Sequence, residues 1–271
     1  IYSFVNSIMQ TGYHTIDGKN MYFIESGNDA GKRAKGPVNI NGVYMFFNAD
    51  GERDQGNGER TVDGKMYYII NGVPQIGEHN GRVYGNDFAA LTGFHDAVFY
   101  QDGVKQVNKW VQLGDHHYLL DGNGRVRTGW VQSGSWYYLH GDGRMAAAEW
   151  VKDGSWYYFK DNGTMATGWV KVGNKWYYMK GSGAMVTGWQ KVGNIWYYMR
   201  GGGDMATGWV KDGSNWYYMK DSGAMTTGWQ KVGNTWYYMK GSGAMATGWQ
   251  KLGGKWYYLT PSSGTMVTGT H

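Results

Sequence analysis

The sequence predicts an all-β chain, a solenoid of stacked β-hairpins, and three observations carry that prediction. One phrase recurs: residues 169–185 read WVKVGNKWYYMKGSGAM, and its first tryptophan returns at 189, 209, 229 and 249 and runs back through 150 and 130 to 110. A period near 20 residues marks a repeat array, in which each unit buries its apolar face only against its neighbours. Asn-Gly, Asp-Gly and Gly-Asn pairs stand between short aromatic and β-branched runs, which is the pattern of two-residue hairpin turns. The composition agrees. With 46 Gly but only 3 Pro, and with 23 Tyr and 15 Trp, the chain is not collagen-like, proline-rich or disordered. A lone hairpin is marginal in water, so these must stack.

Taken in order, the first 109 residues contain no tryptophan, yet the repeat persists in worn form. Tyr13 to Phe23 turns at Asp17-Gly18, and further hairpins turn at Asn41-Gly42, Asp63-Gly64 and Asn80-Gly81. Thr92-Gly93-Phe94 imitates the Thr-Gly-Trp of the later units. By simple alignment the position of the second tryptophan holds Met21, Tyr44, Met66 and Val83. Trp110 opens a transitional unit in which His116, His117 and Tyr118 stand where Trp-Tyr-Tyr belongs. Successive strand residues point to opposite faces, so the two histidines are not expected to share a metal ion. The expected organisation is therefore residues 1–109, degenerate repeats forming an effector or interaction module, and residues 110–271, regular repeats forming an anchor.

From Trp130 onward the units are regular. A two-residue turn at Gly173-Asn174 pairs Lys171 with Trp176 and Trp169 with Tyr178. Trp169, Trp176 and Tyr178 then share one face, while Val170, Val172, Tyr177 and Met179 take the other. The units at Trp130 and Trp150 are one residue shorter between their tryptophans, and a three-residue loop at Asp153-Gly154-Ser155 restores the pairing of Trp150 with Tyr158. The glycine-rich connections end in a methionine suited to filling space between units.

Charge separates the halves. Residues 1–109 carry 10 Lys and Arg against 12 Asp and Glu, whereas the remaining 16 basic and 9 acidic residues give the second part a net charge of +7, which suits a polyanion. The absence of cysteine excludes disulfides and thiol chemistry, and no apolar run is long enough to span a bilayer. Residue 1 opens directly into patterned sequence, so an exported protein is expected to have this chain as its mature form. Enzyme motifs are lacking: there is no G-x-S-x-G, Walker loop or H-E-x-x-H, and the carboxylates sit mostly in turns. No catalytic residue, metal or cofactor is expected. What remains is the aromatic face. Rows of rings suit sugars, nucleic-acid bases or quaternary ammonium groups, or else fill core between hairpins. A trimethylammonium has no N–H to donate and is gripped by facing π-surfaces in a dry cage.

The pattern GW-x5/6-WYY-x4/5-G-x-M-x-T-G resembles the choline-binding repeat of Gram-positive surface proteins and wall hydrolases, closely over about 160 residues and loosely over the first 109. The resemblance implies a left-handed solenoid with choline held in aromatic cages between consecutive hairpins. Carried over, the cages use Trp130 and Trp136 with Tyr158 of the next unit, and Trp150 and Trp156 with Tyr178. They continue as Trp169 and Trp176 with Tyr198, Trp189 and Trp196 with Tyr218, Trp209 and Trp216 with Tyr238, and Trp229 and Trp236 with Tyr258. Met185, Met205, Met225 and Met245 close the sides. Trp249 and Trp256 complete the row of tryptophan pairs, but Thr270 stands where the next first tryptophan would be, so the last hairpin is expected to lack a successor and a site.

The implied partner is phosphocholine on teichoic or lipoteichoic acid, the implied location the wall surface, and no nucleic acid or membrane span is involved. Family members built wholly of repeats, with modified units first, imply a modulator that restrains an autolytic, choline-dependent wall lysozyme. The alternatives are the anchoring region of a wall hydrolase without its catalytic domain, or a glucan-binding repeat protein.

Overall fold

The computed structural model describes residues 2–268. All regular structure there is β: 30 strands form twelve two-stranded and two three-stranded sheets, each a hairpin or a hairpin with one added strand. No helix among the described residues is long and apolar enough to cross a membrane. Two compact units emerge, residues 1–129 with 139–145, and residues 130–138 with 146–271.

The second unit follows from its turns. Gly173 has φ +57 while Asn174 does not enter the left-handed region, which is the II′ arrangement that matches strand twist. Strands Gly168–Val172 and Lys175–Met179 therefore pair as Trp169↔Tyr178 and Lys171↔Trp176. The shorter hairpin, Glu149–Asp153 with Ser155–Phe159, keeps Trp150↔Tyr158 and Lys152↔Trp156, with Gly154 alone at its tip. One turn residue is lost and the aromatic register survives.

Each hairpin then has two unlike faces, and stacking puts the back of one on the front of the previous one. Met179, Met199, Met219 and Met239 are wholly buried, as are Phe159, Ala166, Ala206 and Ala246. Around Ala206, Val210 and Met219 are packed Trp189, Tyr198, Tyr217 and Met225, so the rings that face solvent on one side close the core on the other. The buried hydroxyl of Thr226 donates to the carbonyl of Tyr218 at 2.9 Å, which removes the cost of an unpaired polar group.

The connections act as staples. In the segment after Met179, the Val186 N–H donates to Tyr178 of its own hairpin at 2.9 Å, and the Met185 N–H donates to Trp156 of the preceding hairpin at 2.8 Å. The Met185 side chain then lies against Gly203 of the next connection. A Cβ built at Gly203 (φ +84) would stand 2.6 Å from Met185 Cε and 2.9 Å from Cγ, so only glycine leaves room.

The first unit uses the same plan with other turns. Asp17 and Gly18 have φ +51 and +75, a type I′ pair, as do Asn41-Gly42 and Asp63-Gly64. Its cores are small and separate, for example Phe46, Val62, Tyr67, Ile69 and Ala89. The registers correct part of the simple alignment. His14 pairs with Met21 and Thr15 with Asn20, so Asn20, not Met21, occupies the second-tryptophan position. Tyr44 and Met66 do occupy it, opposite Asn39 and Thr61. In the shortened hairpin Gly77–His79 with Arg82–Tyr84, Val83 lies opposite Glu78, where the second tyrosine of a regular unit stands. Likewise Gln112 pairs with His117, so His117, Tyr118 and Leu119 take the Trp-Tyr-Tyr positions, one residue later than His116, His117 and Tyr118. The turns at Asp17-Gly18, Asn80-Gly81 and Gly114-Asp115 have two residues, as at Gly173-Asn174, so what differs is the residue type at the tryptophan position and, at Gly77–Tyr84, the length of the strands.

Candidate functional site: a row of aromatic corners

In six of the regular hairpins the two tryptophans stand nearly perpendicular, at 80–89°. The Trp169 and Trp176 centroids are 6.4 Å apart at 88°, and the Trp209–Trp216 and Trp229–Trp236 pairs repeat this at 6.3 Å and 87° or 89°. The third wall comes from the next hairpin. Tyr157 lies 4.7 Å from Trp130, Tyr177 lies 4.9 Å from Trp150, and Tyr197 lies 4.8 Å from Trp169. Tyr217 on Trp189, Tyr237 on Trp209 and Tyr257 on Trp229 continue the row at 4.6, 4.8 and 4.9 Å.

The third wall is therefore the first tyrosine of each Tyr-Tyr pair, where the second was expected. Tyr158, Tyr178, Tyr198, Tyr218, Tyr238 and Tyr258 instead pack at 5.0–5.2 Å on Trp150, Trp169, Trp189, Trp209, Trp229 and Trp249 of their own hairpins. The physical reason is the alternation of strand faces: Tyr178 shares the front face with Trp169, whereas Tyr177 is on the back, which meets the hairpin before. A cage made of one front and the next back must use Tyr177.

Three corners enclose measurable cavities. Trp130, Trp136, Tyr157 and Met165, with Gly181 and Ser182, line about 250 Å³. Trp150, Trp156, Tyr177 and Met185, with Gly201 and Gly202, line about 270 Å³. Trp209, Trp216, Tyr237 and Met245, with Ser262 and Ser263, line about 310 Å³. The Met205, Met225 and Met266 N–H groups donate to Trp176, Trp196 and Trp236, so the methionine contribution repeats, and Met165 and Met266 join those expected. Trp249 and Trp256 have no hairpin after them among the described residues. They are 66% and 62% exposed, against 39–42% for the second tryptophan of the six preceding hairpins, and Thr270 lies outside the described residues.

The walls are mainly π-faces and thioethers, with glycine or serine completing the rim. Lysine ammonium groups add positive charge outside the corner: Nζ of Lys152 and Lys211 lies 5.8 Å from the Trp156 and Trp216 rings. Rings so arranged suit a compact cation, which they attract by cation–π interaction.

The first unit contains no such corner among its described residues. Glu59 stands at the first-tryptophan position and accepts from Arg82 Nε at 3.2 Å, Asn80 Nδ2 at 3.3 Å and the Tyr84 hydroxyl at 3.4 Å. Burial, then the Glu59 charge, pushes the Tyr84 hydroxyl up to about 12. A cavity of about 280 Å³ beside Met66 is lined by Lys65, Asp87, Leu91, Thr92, His95 and Asp102, with no tryptophan.

Comparison with known proteins agrees with this geometry. A choline-binding repeat model matches residues 151–187, 186–227 and 226–271, and a model described as a putative cell wall binding repeat matches residues 128–145. Choline-binding protein F from Streptococcus pneumoniae, solved in the presence of a peptidoglycan analogue, is 30% identical, with 96% of this chain and 94% of that one covered and a TM-score of 0.54. CbpJ from the same species is 34% identical over 98% of this chain and 90% of its own, with a TM-score of 0.53. No curated protein matches the chain. Tryptophan pairs in register, glycine-seated methionines and near-complete coverage by solved relatives lead to one conclusion: the chain belongs to the choline-binding repeat family.

Proposed function

We propose that this is a non-enzymatic, exported wall protein whose second part holds phosphocholine of teichoic and lipoteichoic acids. The observation that carries the reading is the sixfold recurrence of one corner, in which the next hairpin's first tyrosine meets the first tryptophan of a tryptophan pair. Three cation–π contacts of about 0.5–2 kcal/mol each net about 4 kcal/mol, or roughly millimolar affinity per site. Several such sites on one polymer reach useful avidity, with gains of about 10²–10⁴. The net charge of +7 on residues 110–271 favours the phosphates of the same polymer. Retention on a trimethylammonium resin with elution by free choline, and not by a soluble glucan, is the expected result; passage through the resin refutes it.

Residues 1–109, whose cage positions hold Asn20, Glu59 and Met66, form the effector module on this reading and do not bind choline. Its role is to restrain a choline-dependent wall lysozyme by competition for the polymer or as a decoy. Adding the protein to choline-bearing walls with such a lysozyme is expected to slow lysis, and an unchanged rate removes the modulator role while leaving choline binding intact.

A further inference from the structure

The six corners are not chemically equal. The Trp130 indole Nε1–H donates to Asp153 Oδ2 at 2.7 Å, and the Trp189 Nε1–H donates to Asp212 Oδ2 at 2.9 Å. Both aspartates close the first strand of the following hairpin, opposite Ser155 and Asn215. At the same place behind the other four corners stand Val172, Val192, Val232 and Leu252, which cannot accept a hydrogen bond. The position belongs to the back face, the one that also presents Tyr157 and Tyr217 to the preceding tryptophans.

We propose that Asp153 and Asp212 divide the row into two classes, making the Trp130 and Trp189 corners the high-affinity cation sites. The inference rests on the choline reading above. A carboxylate bound to the indole N–H pushes electron density onto the ring that the cation approaches, and it adds a full negative charge close by. A cation seated on the ring face is within about 6–7 Å of that carboxylate, where attraction in a partly solvated setting strengthens binding about three- to tenfold. The Val and Leu corners have no carboxylate at this place, and those of Trp150 and Trp209 carry in addition the like charge of Lys152 and Lys211 at 5.8 Å from their second tryptophan. The two strong sites lie three hairpins apart, so a choline-bearing polymer is seized at two separated points and the four weaker corners fill between and beyond them. Because the attraction is Coulombic and near the surface, it weakens with salt.

The test uses the full chain, titrated calorimetrically at low salt with choline and with 3,3-dimethylbutan-1-ol, its uncharged isostere. Wild type is expected to show two choline sites about three- to tenfold tighter than the remaining four. The D153N/D212N double variant, which keeps an acceptor for the indole but loses the charge, is expected to merge them into one class. Val232→Asp is expected to create a third strong site. The uncharged isostere is expected to bind wild type and D153N/D212N alike, a readout that a merely structural role for the aspartates would not give. A single class of six sites in wild type, or equal weakening of choline and isostere in the double variant, overturns the proposal and leaves choline binding standing. No choline binding at all refutes both.

Discussion

Tyr177 and Tyr178 are neighbours of the same type, and the structure assigns them opposite duties. Tyr177 faces Trp150 at 4.9 Å and lines the 270 Å³ corner with Trp156, whereas Tyr178 packs at 5.0 Å on Trp169 in its own hairpin. Tyr177→Leu keeps apolar bulk but withdraws one π-face from a cation in that corner. At about 0.5–2 kcal/mol per cation–π contact, the Trp150–Trp156 site weakens about 2- to 30-fold. Tyr178→Leu removes no wall of that site and leaves its affinity unchanged, though it loosens the backing of Trp169. Protein labelled with 5-fluorotryptophan, with Trp150 and Trp156 resonances assigned by single Trp→Phe variants, resolves this one site in a fluorine NMR titration with choline. Weakening of the Trp150–Trp156 site by Tyr178→Leu but not by Tyr177→Leu would refute the front-to-back account of the cages.

Other outcomes follow from the same packing. Gly203→Ala places a methyl where Met185 lies and puts alanine at φ +84, so the second unit should lose about 2–4 kcal/mol from strain and overpacking together, read as a lower thermal midpoint. Adding Met185→Ala removes the clash, and the double variant should be more stable than the sum of the single losses; strict additivity would show that the methionine does not press on that glycine. Met219→Ala empties a fully buried position and should cost about 2–5 kcal/mol, a loss visible in denaturant melts of the full chain. In the first unit, a hydrogen bond from Arg60 and a backbone N–H from Gly56 hold the Asp54 carboxyl below the usual carboxylate range despite partial burial. A lowered native pKa stabilises the fold above the unfolded value of about 4 and loses that contribution as pH falls through the native one. Asp54→Asn should therefore be less stable than wild type at pH 7, with a shallower loss of stability between about pH 4 and pH 2 in acid titrations followed by circular dichroism.

Much of the candidate site is legible in the sequence. A two-residue turn at Gly173-Asn174 forces Trp169 opposite Tyr178, and alternation then sorts every residue of the hairpin onto two faces. The tryptophan pairs followed from that alone. The third wall did not, because it depends on how hairpins stack, and periodicity within one unit carries no such information. The signal was nevertheless present: Tyr177 lies on the same face as Val170 and Val172, the face that must be buried against a neighbour. Met165 and Met266 were missed for the same reason, since they reach back to Trp136 and Trp236 through backbone hydrogen bonds between units. The degenerate hairpins were harder. Asn20 and His117 occupy the tryptophan position without resembling it, and the shortened hairpin at Glu78 and Val83 has no such position to fill. Where the residue type at a position changes, only the hydrogen-bond register identifies the equivalent residue. The aspartates behind Trp130 and Trp189 looked like ordinary turn residues, and their meaning appears only once Asp153 is found on the indole of the hairpin before.

The central claim is that hairpins in pairs, not hairpins singly, make the binding sites. Equilibrium dialysis of the full chain against choline measures it most directly, because among the described residues the seven tryptophan pairs from Trp130 to Trp256 meet six tyrosines of a following hairpin. Saturation at about six choline per chain, with acrylamide quenching of Trp249 and Trp256 left unprotected, is the predicted result. Saturation at seven or more, or protection of the last pair along with the others in the monomeric chain, would contradict it.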